Sequence, residues 1–321
     1  MNVFLAPSIP TLPTALIDIK LKLSATRKRP VVAVNGEYQV TDQVIKAETI
    51  EFSDNGVLVF ESLDFEWVVF YADVLKLNGT TTIKRTDKID LTGKHGADGA
   101  HGRPPAKGYG RHGNPGQPGG WGYPGGSQSV PNLYVFCQEV LWQGQAATPS
   151  DVKGNVTLEF SGYPGGRGGN GGNGGDGSKG SDGKPSQDGL LDCKAGPGKG
   201  GNGGNAGAAG IPGMGGDGTD GAIIEIFVRP SQVPIFQALS YSVAKGRPGR
   251  FGKYGSPGTP GLGGKEGKLS ANCGKAGRDG KKGAIPEICK LPDTTAVSGT
   301  DGPAPTVTPY TGFNELLHPD D

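Results

Sequence analysis

The sequence predicts a mainly β protein combined with polyglycine/polyproline-II segments. The expected architecture is a β-solenoid-like base, or a sandwich, carrying six glycine-rich polyproline-II helices in three hairpins that form a bundle. Three observations lead there. Glycine supplies 60 of the 321 residues and proline 26, far above ordinary shares. "GYPGGRGGNGGNGGDGSKGSDG" (162–183) has glycine at every third position eight times running. Stretches rich in β-branched and aromatic residues alternate with such tracts, as strands between insertions would.

The first stretch, 1–92, reads as a β-rich base or attachment region. "ALIDIKLKLS" (15–24), "VIKAETIEF" (44–52), "GVLVF" (56–60), "WVVFYADVLKL" (67–77) and "TTTIKR" (80–85) predict strands, several alternating with period two. From Gly93 to residue 290, six tracts follow: 93–102, 110–125, 162–183, 198–216, 246–267 and 274–283. Strand-like pieces separate them in pairs, at 132–142, 155–160, 222–228, 236–243 and 285–290. Ala47, Ala72, Cys137, Ile226 and Cys289 fall at similar points of five of these pieces, as in stacked rungs. This strand, tract, loop, tract order recurs three times, an internal repeat of the kind that builds quasi-linear folds. Residues 291–321 form a Pro/Thr-rich tail without Lys or Arg, expected to be solvated, with "GFNELL" (312–317) as a docking candidate.

A left-handed helix of three residues per turn makes no internal hydrogen bonds, so its backbone groups need partners on other segments. Glycine at every third position bares one face and lets another backbone approach. The short loops 103–109, 184–197 and 268–273 favour a chain folded back on itself over a collagen trimer. Paired glycines in 162–176 and small residues in 198–210 mark those tracts as central, whereas bulky 246–261 suits an edge.

The net charge of +1 with interspersed signs argues against a nucleic-acid partner. No apolar run is long enough for membrane insertion, and the first twenty residues lack the basic start of a signal peptide. A virion or a surface reached by non-classical export fits best, with the cytoplasm left open.

His95, Asp98 and His101 look like a metal cluster by composition. On a three-residue turn they stand about 9 Å apart, too far to share one ion, so no metal or other cofactor is expected. GxGxxG matches have no helix after them and carry no phosphate-binding meaning. Acidic residues are plentiful but no spacing singles out a catalytic pair, so no catalytic residue is assigned. The cysteines divide by position: Cys193 with Cys273 in loops at one end, Cys137 with Cys289 in base strands. Tip-with-tip and base-with-base bridging is the economical pairing of three, with four reduced thiols as the alternative.

"GGRGGNGGNGGDG" and "GKGGNGGNAGAAG" resemble the motifs of polyglycine-II bundle proteins, and the phage long-tail-fibre tip adhesins in particular. That resemblance implies an N-terminal attachment region and loops at the end of a bundle that select a receptor. Six tracts are also similar to the glycine-rich antifreeze proteins of springtails, but Arg, Lys, Phe and Tyr along 246–254 spoil a flat ice-binding face.

The expected function is therefore non-enzymatic recognition of a surface receptor or glycan. Candidate contacts are Lys107, Tyr109, Gln187, Asp188, Leu190, Leu191, Asp192 and Asn272, all in the tip loops. The alternatives are a structural component that meets a fibre or assembly protein through the N-terminal region or tail, and a polysaccharide-active enzyme.

Overall fold

The computed structural model describes residues 14–274, 277–287 and 295–318. Its first element is a helix, α1 (Thr14–Ala25), where the alternation of "ALIDIKLKLS" predicts a strand. The same letters place Leu16, Ile19 and Leu23 on one helical face; these are buried while Ile17 and Leu21 stay exposed. Lys46 closes the helix. Its Nζ donates to the carbonyls of Leu23 and Thr26 at 3.0 and 2.9 Å, groups that a helix C-terminus leaves without intrahelical partners.

Strands then alternate between two sheets. β1 (Arg29–Val34), β2 (Glu37–Val40), β3 (Val44–Phe52), β4 (Gly56–Phe60), β5 (Trp67–Leu77) and β6 (Thr81–Arg85) precede the first tract. β7 (Asn132–Trp142), the short β8 (Gln145–Ala146), helix α2 (Pro149–Val152) and β9 (Val156–Glu159) come next. Later elements are β10 (Gln187–Asp188), β11 (Cys193–Ala195), β12 (Ile224–Val228), helix α3 (Val233–Gln237), β13 (Ser240–Ser242) and β14 (Thr306–Pro309). One sheet runs β1-β3-β5-β7-β12-β14, with β8 antiparallel on β7; the other runs β13-β9-β6-β4-β2. All pairings along both paths are parallel.

Register makes the core. In the first sheet Ile45, Phe70, Val135, Ile226 and Val307 stand in one row across five strands. Leu58, Ile83 and Leu158 form the facing row of the second, and both rows belong to one buried cluster apart from the half-buried Val307. Each large side chain so buried contributes roughly 1.5–3 kcal/mol. The outer face of the first sheet is closed by α1 and by a 3-10 turn at Phe313–Leu316, which pack on Val69, Tyr71, Tyr134, Phe136 and Phe227.

Several expectations are corrected here. The class is an α/β arrangement of parallel sheets with few helices, not a protein defined by six polyproline-II helices in three hairpins on a solenoid or sandwich base. The parallel pairing organises the chain, and the glycine tracts are insertions between β6 and β7, β9 and β12, and β13 and β14. Among the described residues those tracts carry neither helix nor strand assignments. Val228, not Ile226, lies opposite Cys137, while Cys289 lies outside the described residues. Of the strand expected at 285–290, residues 285–287 are not a strand and 288–290 lie outside the described residues; the last strand among the described residues is β14. "FQALSYSV" divides into the end of α3 and β13. Among its described residues the tail is exposed or half-buried except at Phe313 and Leu316, and it is anchored where β14 pairs with β12.

Within the insertions the backbones bond sideways. Gly166, Gly169, Gly172 and Gly175 donate to the carbonyls of Gly126, Tyr123, Gly120 and Gln117 at 2.8–2.9 Å. The alternate glycines Gly165, Gly168 and Gly171 donate to Arg247, Arg250 and Lys253. The tract 162–183 is thereby bonded to 93–102, 110–126, 198–221 and 246–267 at once. Glycine is required by closeness: a Cβ on Gly116 would lie 1.8 Å from the Gly175 carbonyl oxygen. Arg85 ties these insertions to the sheets, its guanidinium 3.7 Å over the Tyr163 ring and its Nε 2.7 Å from the Ser161 carbonyl.

Candidate functional site

The end of the tracts farthest from the sheets is built from the sequence "SQDGLLDCKA" (186–195). Gln187 pairs with Ala195 and Asp188 with Cys193 across the β10–β11 hairpin. Gly189 closes the turn, donating its N–H to the Asp192 carbonyl at 2.7 Å. A Cβ at Gly189 would meet Asp192 Oδ1, the end of an exposed side chain that can swing aside.

A disulfide joins Cys193 to Cys273, whose Cα atoms are 4.9 Å apart. Beside it, Ser186 Oγ donates to Ser270 Oγ at 2.6 Å, and the Ser270 hydroxyl donates to Asp188 Oδ1. Cys273 is buried, its N–H turned to the Ser270 carbonyl at 3.2 Å. The hairpin 187–195 and the turn 270–273 therefore form one cross-linked unit. At its apex Leu190 and Leu191 are 96% and 92% exposed, with Gln187, Asp188, Asp192 and Asn272 exposed around them.

Lys107 and Tyr109 are exposed but belong to a lower step. Their loop returns at Gly110, whose N–H donates to the Asp182 carbonyl at 2.8 Å, and at Arg111, whose N–H donates to Ser181 Oγ at 2.7 Å. The sequence-derived set thus splits: six candidates share the clamped unit and two stand beside the shaft below it. Ser186 and Ser270, which hold the unit together, were not singled out; their position at the ends of two loops was the available signal.

His95, Asp98 and His101 have a different task from metal binding. Their side chains accept the backbone N–H groups of Asn170, Asn173 and Asp176 at 2.8, 2.7 and 2.9 Å. Each lies three residues from the next and serves a separate donor on the neighbouring tract. His112 does the same for Asn202 at 2.8 Å.

The second expected bridge is corrected. Cys137 is a free, fully buried thiol in β7, opposite Ala72 and Val228, with its Sγ donating to the Glu139 carbonyl at 3.3 Å. Burial pushes its pKa up to about 12, which makes it a core side chain.

Fold and site together define a parallel-sheet protein that projects a disulfide-clamped apolar hairpin on laterally bonded glycine tracts. Comparisons with protein-family models, with curated proteins and with solved structures find no match. Among the described residues, no helix is long and apolar enough to cross a membrane.

Proposed function

We propose that this chain is a non-enzymatic recognition protein, and that the Leu190–Leu191 apex docks into an apolar recess of a surface receptor. The observation that carries it is the near-complete exposure of two adjacent leucines on a clamped hairpin. Isolated surface leucines need no explanation. Two held at an apex and rimmed by polar side chains have the make-up of an interaction spot. The clamp fixes the hairpin before binding, which lowers the ordering cost that association otherwise carries.

A disulfide suits an oxidising compartment, in keeping with a virion or an exported surface protein. The packed tail supports this function over assembly through the tail, because β14 and Phe313–Leu316 are occupied within the chain.

The test is a double variant, Leu190→Ser with Leu191→Ser, compared with the wild type on a panel of intact cells and on a glycan array. Unchanged circular dichroism and Tm with loss of cell binding supports docking at the apex. Retained cell binding would move recognition elsewhere. Turnover of a polysaccharide panel by the purified chain would end the non-enzymatic reading.

A further inference from the structure

Where the tract 246–267 lies beside 162–183, side chains of one tract accept backbone N–H groups of the other at a constant offset of 83 residues. Lys253 N–H donates to Asn170 Oδ1 at 2.9 Å, Ser256 to Asn173 at 2.9 Å, Thr259 to Asp176 at 2.6 Å and Lys265 to Asp182 at 2.8 Å. The same offset, 250 minus 167, brings Arg250 to Arg167. The register holds there too, since Gly168 N–H donates to the Arg250 carbonyl at 2.9 Å.

At 167 a guanidinium stands where the steps at 170, 173, 176 and 182 carry an amide or carboxylate acceptor; Lys179, level with Leu262, is the other cation of the row, and it pairs with Asp182 at 3.8 Å. Arg167 Nη2 turns instead to Asn170 Oδ1 at 3.4 Å, so two arginines share a register with no acid between them. Arg247 and Lys253 lie three residues to either side of Arg250, an interval of at most about 10 Å along an extended chain. All four are exposed, and none of them is among the ion pairs of the described residues. Residues 244–259 contain four cations and no Asp or Glu, although the whole chain carries only +1. The adjoining ridge of the same tract carries Phe251 and Tyr254, the latter exposed.

We propose that Arg167, Arg247, Arg250 and Lys253 form a binding surface for an acidic polysaccharide, separate from the hairpin apex and independent of its role. Like charges held at one register repel, and an oxyanion bridging both guanidiniums removes that repulsion through charge-assisted hydrogen bonds. The aromatic ridge supplies faces against which sugar rings can lie. The interval selects the polymer. A nucleic-acid strand carries a charge about every 3.4 Å of its axis, several for each cation of the row. A glycan with one carboxylate per disaccharide spaces its charges close to the row's own interval.

The experiment titrates the full chain with hyaluronan oligosaccharides by isothermal calorimetry, at low and at physiological salt. Neutral dextran and a single-stranded oligonucleotide serve as the comparison ligands. The expected result is hyaluronan binding that weakens with salt and no dextran binding. Arg167→Asn restores an acceptor beneath Arg250. It should hold or raise Tm while weakening hyaluronan binding roughly tenfold or more. Arg250→Gln should weaken binding similarly, and Lys265→Ala, with its N–H already held by Asp182, should not. The double leucine variant should bind hyaluronan as the wild type does, which keeps this test apart from that of the apex. Absence of hyaluronan binding, an Arg167→Asn variant that binds unchanged, or tighter binding of the oligonucleotide would overturn the proposal.

Discussion

Asp176 Oδ1 accepts the backbone N–H of Thr259 at 2.6 Å, while the N–H of Asp176 itself is held by His101 Nδ1 at 2.9 Å. One residue thus joins three tracts, accepting on one side and donating on the other. The same arrangement recurs at Asn170 and Asn173, so short polar side chains before glycine act as regular cross-ties.

Acid should loosen these ties. The hydrogen bond from Thr259 holds the Asp176 carboxyl below its ordinary value of 3.8, and that from Thr300 does the same for Asp220. A depressed native pKa contributes stability that is complete above 3.8 and is lost as pH falls through the lower native value. The double variant Asp176→Asn with Asp220→Asn keeps a carbonyl acceptor and has nothing to protonate. Its Tm should fall less than that of the wild type when pH drops from 5 to about 2, as differential scanning fluorimetry would show.

Glycine positions should differ sharply in tolerance. A Cβ at Gly175 would lie 2.0 Å from the Ala100 carbonyl oxygen, whereas at Gly196 nothing lies within 4 Å. Gly175→Ala must push backbone against backbone and should cost about 3 kcal/mol or more in urea unfolding. Gly196→Ala should stay within about 0.5 kcal/mol of the wild type.

The Cys193–Cys273 bridge spans 80 residues of sequence but clamps a local unit. Replacing both cysteines by serine should speed amide hydrogen exchange at 187–195 and leave β5 and β7 protected. The loss of global stability should not exceed about 2–4 kcal/mol. Equal deprotection of the sheets would show that the clamp supports the whole fold.

Lys46→Met should loosen the C-terminal end of α1 on the first sheet. The buried ammonium holds the Leu23 and Thr26 carbonyls; its loss leaves Leu23 with the Thr26 N–H alone and takes this donor from Thr26, at a cost of about 1–3 kcal/mol. Urea denaturation should record that drop, and exchange should rise first in 14–25.

The tract positions and the loops joining them were legible because a three-residue glycine period has few other physical uses. The hairpin candidates followed from those loops, but their grouping did not. The level at which each loop ends depends on sideways register, and Gly110 meets Asp182 rather than the apex. The helix α1 was illegible because Leu16, Ile19 and Leu23 fit a helical face while Ile17, Ile19, Leu21 and Leu23 fit a strand. Packing against Tyr71 and Phe136 selects the helix. The strand β14 was hidden by Pro309 in a Pro/Thr-rich context; as the edge of its sheet it tolerates a residue without an N–H. The row Ala47, Ala72 and Cys137 was legible and is kept in the register; it failed one strand further on, where Val228 and not Ile226 lies opposite Cys137.

The alternate bonding of 162–183 to neighbours on several sides makes reach a quantised property. Adding one residue to that tract would put every glycine beyond it out of phase with its partner carbonyls, and adding three would restore the match with the end advanced by one glycine step. Even that step holds only if 198–221 and 246–267 lengthen with it, since their carbonyls and N–H groups are counted against the same teeth. The distance between the sheets and the Leu190–Leu191 apex is therefore set as on a notched ruler. Descendants of this chain can change it only by whole notches cut in several segments together.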